Sequence, residues 1–108
     1  MPTYMTLINF TDQGARAIQQ TADRAAAFKE EAAKSGVTVL DVYWTMGAFD
    51  GLLVLEGDEQ DVAKVLFDLA AKGNVHTQTL RAFDEAEITS LIGSRRASAT
   101  RSAARKKK

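Results

Sequence analysis

The chain has 108 residues, 45% of them hydrophobic and 26% charged, which gives room for one domain with a modest core. It has no cysteine, so disulfides and thiolate metal sites are excluded. Its formal net charge of zero hides a segregation. Of 14 cations, seven (Arg95, Arg96, Arg101, Arg105, Lys106, Lys107 and Lys108) fall after Gly93 with no acid among them, which leaves seven against all 14 acids.

Thr3 to Phe10 reads as a strand, rich in β-branched and aromatic residues, and the turn-forming "TDQG" ends it. A helical stretch follows, with Ile18, Ala22, Ala25, Phe28 and Ala32 spaced along one face. Thr21 is placed to cap a fresh start, which predicts a break near Gln20. The stretch "KSG" at Lys34 to Gly36 ends the helix. Val37 to Thr45 and Phe49 to Glu56 then read as two strands of a hairpin. Asp58 is predicted to cap a second helix with Val62, Val65, Leu66 and Leu69 on its apolar face, and "KGN" ends it. Val75 to Phe83 reads as a fourth strand. A short closing helix follows, with Asp84 as its cap and Glu85 and Glu87 suited to its positive end.

The order βαββαβ predicts an α+β, ferredoxin-like fold: a four-stranded antiparallel sheet with two helices on one face and a short C-terminal helix. A sheet whose other face meets water should alternate apolar and polar residues. Three of these strands do not. The first sets Met5 and Leu7 opposite Tyr4, Ile8 and Phe10, and the third reads "LLVL". By strict alternation the second places Val37, Val39 and Tyr43 on one face and Leu40, Val42 and Trp44 on the other. Two helices cover one face only, so the second apolar face calls for another sheet or a ligand. The expected solution is a homodimer, sheet on sheet.

Three segments, "MPTYMTLINFTDQG", "YWTMGAFD" and "GNVHTQTLRAFDEAE", in this order, resemble the small GYD-domain proteins of bacteria. The resemblance runs from Pro2 to about Leu91. It implies a ferredoxin-like domain over residues 1–92, assembled as a dimeric α/β barrel and of undefined biochemical activity, followed by a basic, disordered tail at 93–108. The family's Gly-x-Tyr-Asp pattern falls on Gly47, Ala48, Phe49 and Asp50, so the phenol of the pattern is replaced by a phenyl ring. His76 stands where the family often has a basic residue.

The ligand-pocket candidates are Trp44, Phe49, Asp50 and His76, with Gly47 as the structural turn residue. Trp44 either packs in the core or dimer interface or walls a pocket for a flat substrate. Asp50 either accepts N–H groups of the hairpin turn or serves as a pocket carboxylate. His76 is a surface hydrogen bonder or a proton shuttle partnered with Asp50. Arg81 is expected to pair with an acid. No Gly-rich phosphate loop, nucleophile elbow or HExxH occurs, and one histidine without cysteine cannot complete a transition-metal set, so neither cofactor nor metal is expected.

The stretch Met1 to Phe10 lacks a basic n-region and a cleavage site, and no apolar run approaches the roughly 20 residues of a membrane span. A cytoplasmic protein without a membrane partner is the expectation. The leading functional reading is a homo-oligomeric domain that binds a small ligand or partner at its sheet face or cavity. One alternative is a cofactor-independent, monooxygenase-like enzyme of the dimeric α/β-barrel type. The other is nucleic-acid association through Arg95, Arg96, Arg101, Arg105, Lys106, Lys107 and Lys108, which would neutralise phosphates without stacking on bases; an acidic protein surface would attract the same tail.

Overall fold

A computed structural model describes residues 1–93. The described residues carry four strands, β1 (Thr3–Phe10), β2 (Thr38–Trp44), β3 (Gly51–Glu56) and β4 (Val75–Ala82), in one sheet of order β2-β3-β1-β4. All three pairings are antiparallel. Helices α2 (Thr21–Lys34) and α3 (Glu59–Ala71) connect β1 to β2 and β3 to β4, as a ferredoxin-like α+β fold requires. Residues 85–93 are helical as well (α4).

The helices cover one face of the sheet. Phe28 and Ala32 of α2 and Val62 and Val65 of α3 close over Leu53 and Leu55, the two inward leucines of the central strand β3, with Val37 at the end of α2. Tyr4, Ile8, Val39, Val42, Leu66 and Leu69 flank this core. Leu55 and Val37 are fully buried, and burying an aliphatic side chain of this kind stabilises by about 1.5–3 kcal/mol. Among the described residues a single polar one, Thr6, shares that burial, and its hydroxyl meets that of Thr79 at 2.9 Å.

The predicted break in the first helical stretch is present, but its chemistry differs. A short α1 (Asp12–Arg16) and a 3-10 turn (Ile18–Gln20) precede α2. Thr11 caps α1 by accepting the Gly14 N–H, whereas Thr21 makes no capping bond; its hydroxyl accepts the Trp44 indole N–H instead. The break also resets the helical phase. Ala25, Phe28 and Ala32 therefore turn toward the sheet, while Ile18 and Ala22 are exposed. Asp58 occupies the N-cap position of α3 with extended backbone but without a side-chain bond to the helix. Asp84 does cap: it accepts the Glu87 N–H at 2.7 Å while the Glu87 carboxylate accepts the Asp84 N–H at 2.9 Å, a reciprocal capping box.

A second correction concerns β2. Its register against β3 shifts between Val39 and Asp41, so a β-bulge at Leu40 inserts one residue. Strict alternation fails there. Val39 and Val42 both pack on the core, Trp44 follows Val42 on the helix side, and Tyr43 faces the other way.

Candidate functional site

Two features stand out on opposite sides of the sheet. The first is the sheet face that the described residues leave uncovered. Cross-strand register places Tyr43, Leu52, Leu7, Met5, Val54 and Leu80 together there, on all four strands. Leu80 is 53% exposed and Tyr43 54%. Large apolar side chains grouped on a flat sheet are costly to leave in water, and such patches mark interaction surfaces. Asp41, Glu56, His76 and Gln78 share this face and give it a polar surround.

The second feature is a cavity of about 140 Å³ between the sheet and the helices. Ile8, Val42 and Leu53 form part of its floor, and Phe28 of α2 and Leu69 of α3 its roof. Trp44 stands at its edge, half exposed, its indole N–H donating to the Thr21 hydroxyl at 3.0 Å. Here the 3-10 turn matters, because it delivers Thr21 to the start of α2 directly opposite the end of β2.

Asp50 also borders this cavity, and its role is defined by the hairpin. The turn is built at Met46 to Ala48, with Gly47 at φ +112°, a conformation that a side chain would disfavour. The Thr45 N–H donates to the Asp50 carbonyl at 2.9 Å, and the Thr45 hydroxyl donates to the Phe49 carbonyl. Asn9 reaches across from β1 to donate to the Ala48 carbonyl at 2.9 Å. The Asp50 carboxylate accepts the Phe10 N–H at 2.9 Å. It therefore binds the end of β1 to the hairpin, where the sequence suggested an acceptor for the turn's own N–H groups. A charged acceptor makes this bond stronger than a neutral one.

The sequence candidates are thus divided. Trp44 and Asp50 border the cavity; Phe49 and His76 do not. His76 is exposed and follows Val75, a cavity residue, so strand alternation sends it to the uncovered face, beside Asn9. No hydrogen bond or ion pair joins it to Asp50. Arg81 meets the acid that was expected, with its guanidinium 3.7 Å from the Glu87 carboxylate and 4.2 Å from the centre of the Phe83 ring. Among the described residues no group of three or more His, Asp or Glu is placed to hold a metal ion, and no helix is long and apolar enough to cross a membrane. The seven cations proposed for nucleic acid, Arg95 to Lys108, lie outside the described residues.

Two features of the site escaped sequence reasoning. Arg24 lies beside the cavity and donates to the Ala17 carbonyl at 2.7 Å, tying α2 back to the end of α1. Thr21 was read as a cap, and only the facing Trp44 reveals its partner.

Comparison with known proteins places these features in a family. The GYD domain matches residues 4–92. A Thermus thermophilus protein named glutamine synthetase and cystathionine beta-lyase binding protein is 33% identical over 94 residues, covering 85% of this chain and 99% of the relative. The crystal structure of MtbAldR, a protein from Mycobacterium, superposes with a TM-score of 0.55 at 22% identity, over 78% of this chain and 54% of the other. The chain therefore spans about half of that protein's length, and the likeness is one of fold. The crystal structure of a Thermus thermophilus protein superposes with a TM-score of 0.49 at 25% identity, over 78% of this chain and 95% of the other.

Proposed function

We propose a function from one premise: this chain belongs to the GYD domain family. It is a binding protein that works as a homodimer, with the uncovered sheet faces of two copies packed against each other, and it docks onto other proteins without transforming a substrate. The observation that carries this reading is the apolar sheet face, in which Met5, Leu52, Val54 and Leu80 stand in register across three strands. Pairing two such faces is the sheet-on-sheet solution, and a two-fold axis lets one patch serve both partners. The relative from Thermus, named for its binding of two enzymes, supports a role in binding. Metabolic enzymes of that kind are the first heterologous partners to try.

The geometry of the carboxylate and the histidine favours binding over catalysis. Asp50 holds β1 to the hairpin, and His76 lies on the other face of the sheet. An acid–base pair needs its members within hydrogen-bond reach of a common substrate. Asp50→Asn, which lies away from the open face, is accordingly expected to leave partner binding intact.

Sedimentation velocity tests the reading. The full chain should sediment at twice its 11.7 kDa mass. Leu80→Glu, on an exposed position of an edge strand, should give a folded monomer with unchanged far-UV circular dichroism. A wild-type chain that still sediments as a monomer at the highest concentration at which it stays in solution overturns the assembly. Capture of purified glutamine synthetase by wild type, lost in Leu80→Glu, would tie the same face to a heterologous partner; equal capture by both would separate the two.

A further inference from the structure

The cavity beneath Trp44 offers a guest almost nothing but hydrocarbon. The charged side chains at its edge, and the indole of Trp44, are each engaged within the chain. The Asp50 carboxylate accepts from Phe10, Arg24 donates to the Ala17 carbonyl, Lys72 pairs with Glu31 at 2.9 Å, and the Trp44 indole donates to Thr21. No buried side-chain nitrogen or oxygen among the described residues lacks a partner. A charged guest would have to compete with these contacts and give up its hydration to a mostly hydrocarbon wall, and a neutral polar guest would lose its own hydration without full replacement.

Size narrows the guest further. The volume, about 140 Å³, is close to that of an apolar protein cavity known to take up benzene, roughly 150 Å³. The entrance is also soft. Trp44 is held there by one neutral hydrogen bond and keeps half of its surface in solvent.

We infer that the cavity is a binding site for one small, uncharged apolar group of about six non-hydrogen atoms, such as a single aromatic ring or a short branched alkyl chain. The guest enters past the Trp44–Thr21 contact and is gripped by dispersion against Phe28, Leu53 and Leu69. Trp44 contributes apolar indole surface at the mouth. This inference deepens the binding reading, yet it does not depend on the sheet face, which lies on the other side of the sheet.

The chain contains one tryptophan, so its fluorescence reports from the mouth of the site. The full chain is titrated with toluene and, separately, with benzoate as a charged analogue of similar size. The expected result is a saturable change in Trp44 emission and a rise in Tm with toluene, with benzoate at least tenfold weaker. Ala25→Leu, which fills the cavity from α2, should remove the toluene response; Leu69→Phe fills it from α3 and serves if the first variant does not fold. A linear, non-saturating response in wild type, or benzoate binding as tightly as toluene, overturns the inference. So does an unchanged response in a folded filled variant. A failure here with a wild type that still dimerises would leave the sheet-face reading standing, and the reverse pattern would leave the cavity standing.

Discussion

Gly14→Ala should be among the most damaging single-methyl changes available in this protein. Gly14 lies in α1, where alanine is intrinsically preferred over glycine by about 1 kcal/mol, so helix propensity alone predicts a gain. The tertiary structure predicts the opposite. A Cβ built at Gly14 would sit 2.0 Å from the Asn74 carbonyl oxygen and 3.0 Å from its carbonyl carbon, both main-chain atoms. Ordinary contact begins near 3.4 Å, so the loop between α3 and β4 would have to retreat by more than an ångström. That loop is held to the end of β1 by the Thr11 N–H to the Asn74 carbonyl at 3.0 Å and by the Thr11 hydroxyl to the Gly73 carbonyl at 2.6 Å. Overpacking costs about 1–3 kcal/mol and each lost hydrogen bond about 1 kcal/mol. Set against the propensity gain, the net loss is about 2–3 kcal/mol, or roughly 10–20 °C in Tm for a domain of this size. Urea unfolding followed by circular dichroism, at equal protein concentration for every variant, measures it. Gly93→Ala, with no described residue within 4 Å of the added methyl, is the control and should stay within about 0.5 kcal/mol of wild type. A Gly14→Ala chain as stable as wild type would refute the close approach of α1 to the α3–β4 loop.

Thr79→Val should destabilise more than Thr6→Val. The first leaves the fully buried Thr6 hydroxyl without its partner, at about 1–3 kcal/mol, while the second frees an exposed hydroxyl to bond water; equal losses in urea titrations would count against the buried pair. Asp50→Ala should cost about 1.5–3 kcal/mol by removing a charged acceptor from the Phe10 N–H, and Asp50→Asn less, because the amide oxygen still accepts. If the two variants lost equally, the carboxylate–backbone bond would not be the cause. A double-mutant cycle between Trp44→Phe and Thr21→Val should return a coupling of about 0.5–1 kcal/mol for the indole–hydroxyl bond, and additivity would mean that the bond contributes nothing. Asp84→Ala should fray α4 at a cost of about 1 kcal/mol, read as lost amide protection at Glu87 and Ile88 in hydrogen exchange.

The exposed sheet face and the cavity place different demands on the same four strands. β1 and β3 are central and apolar on both sides, so each contributes to both features: Ile8 and Leu53 to the cavity, Met5, Leu7, Leu52 and Val54 to the open face. Any coupling between the two features would run through this shared sheet. A guest that shifts the end of β2 at Trp44 also touches the strand that carries Tyr43 on the other face. Titrating toluene in the sedimentation experiment would read any such coupling as a change in the dimer constant.

Several properties of this protein are written locally in the chain. Strand β1 begins and ends where its β-branched and aromatic run begins and ends, and the apolar stripe Val62, Val65, Leu66 and Leu69 turns inward over β3, since both signals depend only on the period of a strand or helix. The order of elements selects a ferredoxin-like sheet, and an "LLVL" strand states that its sheet has two apolar faces. The hairpin turn at Gly47 was legible too, because its backbone conformation is a property of that residue. What needed the tertiary structure were contacts between residues far apart in sequence and small departures from ideal periodicity. The bulge at Leu40 puts Val39 and Tyr43, which strict alternation assigns to one face, on opposite faces, and no residue type announces it. Thr21 could equally have capped a helix; the partner that takes its hydroxyl is Trp44, 23 residues on. Asp50 finds Phe10, 40 residues earlier, and not the turn beside it. The separation of Asp50 from His76 likewise follows from the register of β4 on β1, which decides that of the two neighbours Val75 faces the helices and His76 the open side. Periodicity is a local property and can be read along the chain, whereas a partner is chosen only when the whole sheet has closed around it.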